Sequence, residues 1–166
     1  DLNLSDIPGR ERRLNIQLQR VAGSYDWIVL DCPPSLSLLS VNALVASDYY
    51  LIPVKPEYLS MEGLEGLTES VQRLKKGMRR APSLLGILLT IVHPSSRAAR
   101  QVIQRVRQEY GEYVFQTYVR QDVRLLEAPE TGKSIFDYAP RSNGAMAYIR
   151  VVKELLQRSN NKAKNK

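Results

Sequence analysis

The sequence predicts an α/β protein: a mostly parallel sheet with helices on both faces. Two observations carry that expectation. Short runs of β-branched and large apolar residues recur without alternation, as strands covered on both faces require. Between them lie stretches whose apolar residues fall three and four apart, the helical period. Strands and helices in regular succession argue for crossover connections and hence for parallel pairing. In such folds ligands bind at the carboxyl ends of the strands.

The elements follow in chain order. Residues 11–22 place Leu14, Leu18 and Val21 on one helical stripe, which Gly23 ends. The run "WIVLD" (27–31) reads as the first buried strand, and 35–46 returns to helix. "YYLIPV" (49–54) is a second strand and 59–78 a long helix broken near Gly77. "LLGILLTIV" (84–92) is the third and most apolar strand. Residues 97–110 carry Ala99, Val102, Ile103, Val106 and Tyr110 on one face and turn their arginines outward. "YVFQTYV" (113–119) is a short fourth strand, followed by a helical turn over 123–128. The last helix, 142–158, is expected to pack Ala145, Tyr148, Ile149, Val152 and Leu156. One domain therefore spans 1–158, and the polar, basic 159–166 reads as a disordered tail.

Composition narrows the function classes. At 166 residues and 43% hydrophobic, the chain is long enough for one core. None of its apolar runs reaches the roughly 20 residues that a bilayer span needs, and "DLNLSDIPGRERR" has no signal-peptide core. A single cysteine forms no internal disulfide, which fits a reducing cytoplasm. The net charge of +7 is uneven: residues 70–108 hold nine Lys or Arg and no Asp or Glu. A one-sign block points to a polyanion such as nucleic acid, although solvated helix faces give the same count.

The chemistry centres on "WIVLDCPPSL" (27–36). Asp31 ends the first predicted strand, where a carboxylate can reach Mg²⁺ directly or through a coordinated water. The same residue at a strand end can also simply cap the next helix. Pro33 and Pro34 stiffen the loop that follows and remove two backbone donors. Cys32 has no motif pairing it with the single histidine, His93, so neither nucleophile nor zinc site is expected. "ETGKSI" contains Gly132, Lys133 and Ser134, the end of a phosphate-binding loop. The required earlier glycine is replaced by Glu127, so Lys133 is read as a turn lysine.

"LDCPPSL", "NAL" with "ASD", "IPV", "EY" and "EGL" stand here in order, and "VRLLEAP", a glycine-lysine turn and "YAPRSNGA" follow downstream. This series resembles the ParA family of chromosome and plasmid partitioning ATPases, close kin of MinD, from about Glu11 to Leu156. The resemblance implies a P-loop NTPase-like fold whose N-terminal strand and glycine-rich loop are absent here, so that the chain is the C-terminal portion of a longer one. It implies ATP and Mg²⁺ as cofactors, nucleotide-dependent homodimerisation, non-specific DNA binding, a ParB-like centromere-binding partner and a cytoplasmic, nucleoid-associated address. Asp31 matches the metal-binding and catalytic carboxylate, and Cys32, Pro33 and Pro34 match the nucleotide-sensing loop. Glu57 and Tyr58 match a region near the dimer partner. Arg124 matches a DNA-contacting position, with Arg97 and Arg100 near a second, though "HPSSRAAR" departs from the usual register. Relatives carry Pro and Asn on the adenine side, where this chain has Arg120 and Asp122. By the same resemblance the parent is the ATPase and this portion alone is expected to be inactive. Two alternatives stand beside this reading. A MinD-like membrane-cycling regulator would need an apolar face near the C-terminus, which "LLQRSNNKAKNK" lacks after Leu156. A nucleotide-free DNA-binding module that has lost its phosphate loop is the other.

Overall fold

The computed structural model describes residues 8–33, 35–78 and 81–164. A 3-10 turn at Arg10–Arg12 leads into α1 (Arg13–Leu18), a second lies at Ala22–Ser24, and α2 (Leu38–Ala46) follows. Strand β1 (Tyr49–Val54) comes next, then α3 (Tyr58–Lys75), β2 (Ser83–Leu89) and α4 (Arg97–Tyr110). The chain ends with α5 (Val123–Glu130), the short α6 (Ile135–Tyr138) and the long α7 (Asn143–Lys164). It is an α/β protein with a parallel sheet. The Ser83 amide donates to Asp48 O and the Thr90 amide to Val54 O, both at 2.9 Å, so β1 and β2 advance together.

Two compact units divide the described residues: the chain as far as Tyr50 with Leu67–Leu84, and Leu51–Gly66 with Leu85–Lys166. In the first, Asn42 joins the helices. Its buried side chain accepts from the Leu14 amide at 3.2 Å and donates to Leu38 O at 2.9 Å, while Asn15 donates to Val45 O at 3.3 Å. These polar bonds tie α1 to α2; of the predicted stripe Leu14 and Leu18 are half-buried and Val21 is exposed.

The second unit is organised around Leu88, Phe115, Val119, Ala147 and Val151, with Leu51, Leu125, Tyr148 and Leu155 packed against them. Phe115 is fully buried, which contributes roughly 2–3 kcal/mol of transfer free energy. The helix α4 lies as its periodicity predicts, with Ala99, Val102 and Val106 buried. Its start is capped by Ser96, whose side chain accepts from the Ala99 amide at 3.2 Å.

Four expectations need correction. The run 27–31 forms no regular element and pairs with no strand among the described residues, and Trp27, Ile28 and Val29 are exposed, Val29 at 88%. An apolar β-rich run forms a buried strand only where a neighbour supplies backbone partners. Residues 113–119 do not form a continuous strand: a 3-10 turn at Gly111–Tyr113 precedes two isolated parallel bridges, Ile87 with Val114 and Val92 with Arg120. Between the bridges the Glu154 carboxylate accepts from the amides of Gln116 (2.8 Å) and Thr117 (2.9 Å), taking donors a ladder would have used. On α7 the buried face runs through Ala145, Ala147 and Val151, whereas Val152 and Leu156 are exposed. Finally, the expected tail is helical as far as Lys164: Ser159 is buried, and the Lys162 ammonium lies 5.0 Å from the Tyr113 ring centroid. No glycine or proline interrupts that stretch, so the helix continues while it has contacts to make.

Candidate functional site

Asp31, Cys32 and Pro33 are exposed on a loop without regular secondary structure, and Pro34 lies outside the described residues. The Asp31 carboxylate accepts no hydrogen bond among the described residues. The Cys32 thiol is free, 3.7 Å from Leu30 O. Partial desolvation, and after it the adjacent Asp31 charge, push that thiol above its ordinary value, which disfavours the thiolate and a nucleophilic role. A single carboxylate on a water-facing loop suits Mg²⁺ held largely through waters and phosphate oxygens, and no cluster of three potential ligands occurs among the described residues. The phosphate cradle is a separate matter. Gly132 adopts φ +68 in the turn that ends α5, the Lys133 amide donates to Ala128 O, and the Ser134 hydroxyl caps α6. Those three residues form a helix-to-helix turn, not a phosphate loop.

Within the second unit, the segments leaving β1 and β2 border a cleft of about 650 Å³. Glu57 and Tyr58 line it, together with Met61, Ile91, His93 and Arg105. Glu57 pairs with Lys55 at 2.6 Å, an exposed bridge of small energetic weight. Ile91 holds φ +52, a left-handed backbone that a β-branched residue adopts only under constraint from its surroundings.

Arg120, Asp122 and Arg124 come together at the start of α5. The Arg120 guanidinium donates to the Tyr118 hydroxyl at 3.3 Å and lies 5.8 Å from that ring's centroid. Asp122 caps α5, accepting from the Arg124 amide at 3.1 Å, while its other oxygen accepts from the Gly144 amide at 2.9 Å. Arg124 and Arg141 line a shallow cleft of about 230 Å³ with Ala139, Pro140 and Ser142. Both arginines are exposed, and neither forms an ion pair among the described residues. At the start of α4, Arg97 is exposed, and Arg100 is committed locally, donating to Pro94 O at 2.9 Å and Ser95 O at 3.1 Å.

The sequence matches known proteins along most of its length. It is 41% identical over 155 residues to the sporulation initiation inhibitor protein Soj of Bacillus subtilis, covering 93% of this chain and 61% of that protein. It is 39% identical over 163 residues to the chromosome partitioning protein ParA of Myxococcus xanthus, covering 98% and 58%. The AAA domain family profile matches residues 1–83. The chain belongs to the ParA family. The chain of this family member spans about three-fifths of the length of those relatives. Its fold is that of a solved cobyrinic acid a,c-diamide synthase from Mycobacterium smegmatis with bound ATP analogue and magnesium. The TM-score is 0.77 at 24% identity, covering 96% of this chain and 58% of that one.

Three features of this ParA-family chain escaped the sequence. Arg141 reads as a turn residue until the cleft brings it beside Arg124. Ile91 carries no local signal for a left-handed backbone, since that signal is ordinarily Gly or Asn. The double use of Asp122 joins residues 22 apart, and neither of its two bonds was read from the sequence.

Proposed function

We propose that the chain is the C-terminal portion of a chromosome or plasmid partitioning ATPase that couples Mg-ATP binding and hydrolysis to dimerisation and to non-specific DNA binding. The observation that carries this reading is the 39–41% identity, along 93–98% of the chain, with proteins named for chromosome partitioning and for control of sporulation initiation. Asp31 is the residue assigned to the magnesium ion, which when bound would neutralise phosphate charge. The loop of Cys32, Pro33 and Pro34 follows the nucleotide state, and Arg120 and Asp122 lie toward the base. The phosphate cradle is supplied from outside this sequence, and this portion alone is inactive. Arg124 is the first DNA contact, with Arg97 and Arg100 as outer ones, because exposed arginines without acidic partners suit phosphate oxygens. A ParB-like protein stimulates turnover, and the complex works in the cytoplasm on the nucleoid.

Two measurements on the natural gene product test this. Asp31→Ala abolishes Mg-dependent ATP hydrolysis; turnover at the wild-type rate would remove the metal assignment. Affinity for random duplex DNA falls steeply as salt rises, and Arg124→Ala lowers it and reduces the log–log salt slope by about 1. A salt-independent affinity would exclude a phosphate-contacting surface.

A further inference from the structure

Asp122 does two jobs with one carboxylate. Oδ1 accepts from the Arg124 amide and so caps α5; Oδ2 accepts from the Gly144 amide in the first turn of α7. The two helix starts are thereby tied to a single side chain. Packing agrees with that tie. A Cβ on the buried Gly144 would stand 2.7 Å from Cγ of Leu125, so α7 approaches α5 more closely than any side chain at 144 would allow. Ser142, buried one residue before α7, accepts from the Ala145 amide at 3.1 Å and fixes the turn that carries Arg141. Arg124 belongs to the first turn of α5 and Arg141 to the lead-in of α7, and the two line the same cleft. The distance between the two guanidinium groups therefore depends on how the helix starts are held.

We propose that Asp122 is a positioning residue: its carboxylate latches the starts of α5 and α7 and so sets Arg124 and Arg141 at the spacing needed to grip DNA phosphates together. The proposal rests on the DNA-binding reading above. It makes Arg141 a second phosphate contact and gives an acidic residue a favourable role in binding a polyanion. The sign of that role is what makes it testable. On charge alone, removing an acidic group beside two arginines strengthens polyanion binding and steepens its salt dependence. A latch predicts the opposite.

The experiment measures binding of random duplex DNA to the natural gene product at several salt concentrations, with thermal melting of each variant as a folding control. Asp122→Ser keeps a hydroxyl able to cap α5 but too short to reach Gly144 as well, so it separates capping from latching. The expected result is a roughly three- to tenfold loss of affinity for Asp122→Ser, the scale of one hydrogen bond. Arg141→Ala is expected to weaken binding, to lower the salt slope by about 1, and to cost less in the Asp122→Ser background than in the wild type. Should Asp122→Ser melt below the assay temperature, Asp122→Asn carries the same cycle. The latch is overturned if the Asp122 variants bind as tightly as wild type or tighter while Arg124→Ala binds more weakly, or if the losses at 122 and 141 simply add. If wild-type protein itself shows no salt-dependent binding, the DNA reading falls, a distinct outcome that takes the latch with it.

Discussion

At Gly86 a side chain has nowhere to go. A Cβ there would stand 2.7 Å from Cδ2 of Phe115 and 2.8 Å from the Tyr113 carbonyl oxygen, and the backbone atom cannot swing aside. Gly86→Ala is therefore expected to lower stability by about 2–3 kcal/mol, read as a shift in the denaturation midpoint at unchanged slope. The constraint is space rather than conformation, because the positive-φ glycines are Gly9, Gly111 and Gly132. Cys32 makes a contrasting case on an exposed loop. Its thiol is held above the ordinary value by partial desolvation and by Asp31, so the thiolate fraction at neutral pH is smaller than for an unperturbed cysteine. Alkylation of the single cysteine should accordingly be slow at pH 7 and rise at higher pH than for a free thiol. Asp31→Asn should bring that rise to lower pH, since it removes the second cause.

Among the elements, β1 and α4 were legible with the bounds the structure has, because their signals are local: a short apolar run and a helical stripe. The failures are all non-local. Residues 113–119 have strand composition, but a carboxylate 37 or 38 residues further on claims two of their amides. On α7, Ile149, Val151, Val152, Leu155 and Leu156 put apolar groups on nearly adjacent spokes, so periodicity alone could not choose between two faces one residue apart. The candidate site shows the same division: the Asp31 loop and Arg124 were singled out by motif alone and their roles are proposals, whereas the shared cleft of Arg124 and Arg141 and the second bond of Asp122 depend on how α5 and α7 are brought together.

Two tests belong at this scale. Val29→Lys should change stability by no more than about 0.5 kcal/mol, because the side chain is already in water. A loss of several kcal/mol would mean that the run is buried after all. Glu154 is a different case. Its burial alone would raise its pKa, but hydrogen bonds from the amides of Thr117 and Gln116 and from Arg158 outweigh it and hold the carboxyl below its usual value. A depressed folded-state pKa means the contribution is complete above the unfolded value of about 4.3 and is lost as pH falls through the lower folded value. Glu154→Gln should flatten the acid limb of stability below about pH 4.3, and Glu154→Ala should cost about 1 kcal/mol at neutral pH, since water can reach the Gln116 amide and the Thr117 amide is only half-buried. An unchanged acid limb in the Gln variant would show that other carboxylates govern it.

Over the whole molecule, charge and exposed apolar surface act together. Nine Lys or Arg and no Asp or Glu in 70–108 make that stretch one-signed, and any attraction it exerts on a polyanion weakens with salt. Tyr25, Trp27, Ile28 and Val29, with Tyr25 at 65% and Trp27 at 47% exposure, put apolar side chains in water close together in sequence, a stretch of the kind that draws chains together. On the DNA-binding reading proposed above, raising salt should weaken DNA binding while hastening self-association, and Val29→Lys should slow the second without altering the first, as light scattering and DNA titration would report.

The grip of α7 has a further consequence for how the polypeptide matures. Arg158 donates to the carbonyls of Glu112 and Val114 at 2.8 Å and lies 4.4 Å from the Phe115 ring centroid, while Glu154 holds the two amides just beyond. Until the ribosome has delivered residues 154–158, those carbonyls and amides have only water for company. The second unit thus completes itself backwards: its middle waits on its end, and a nascent chain stalled short of Arg158 would carry an unfinished core.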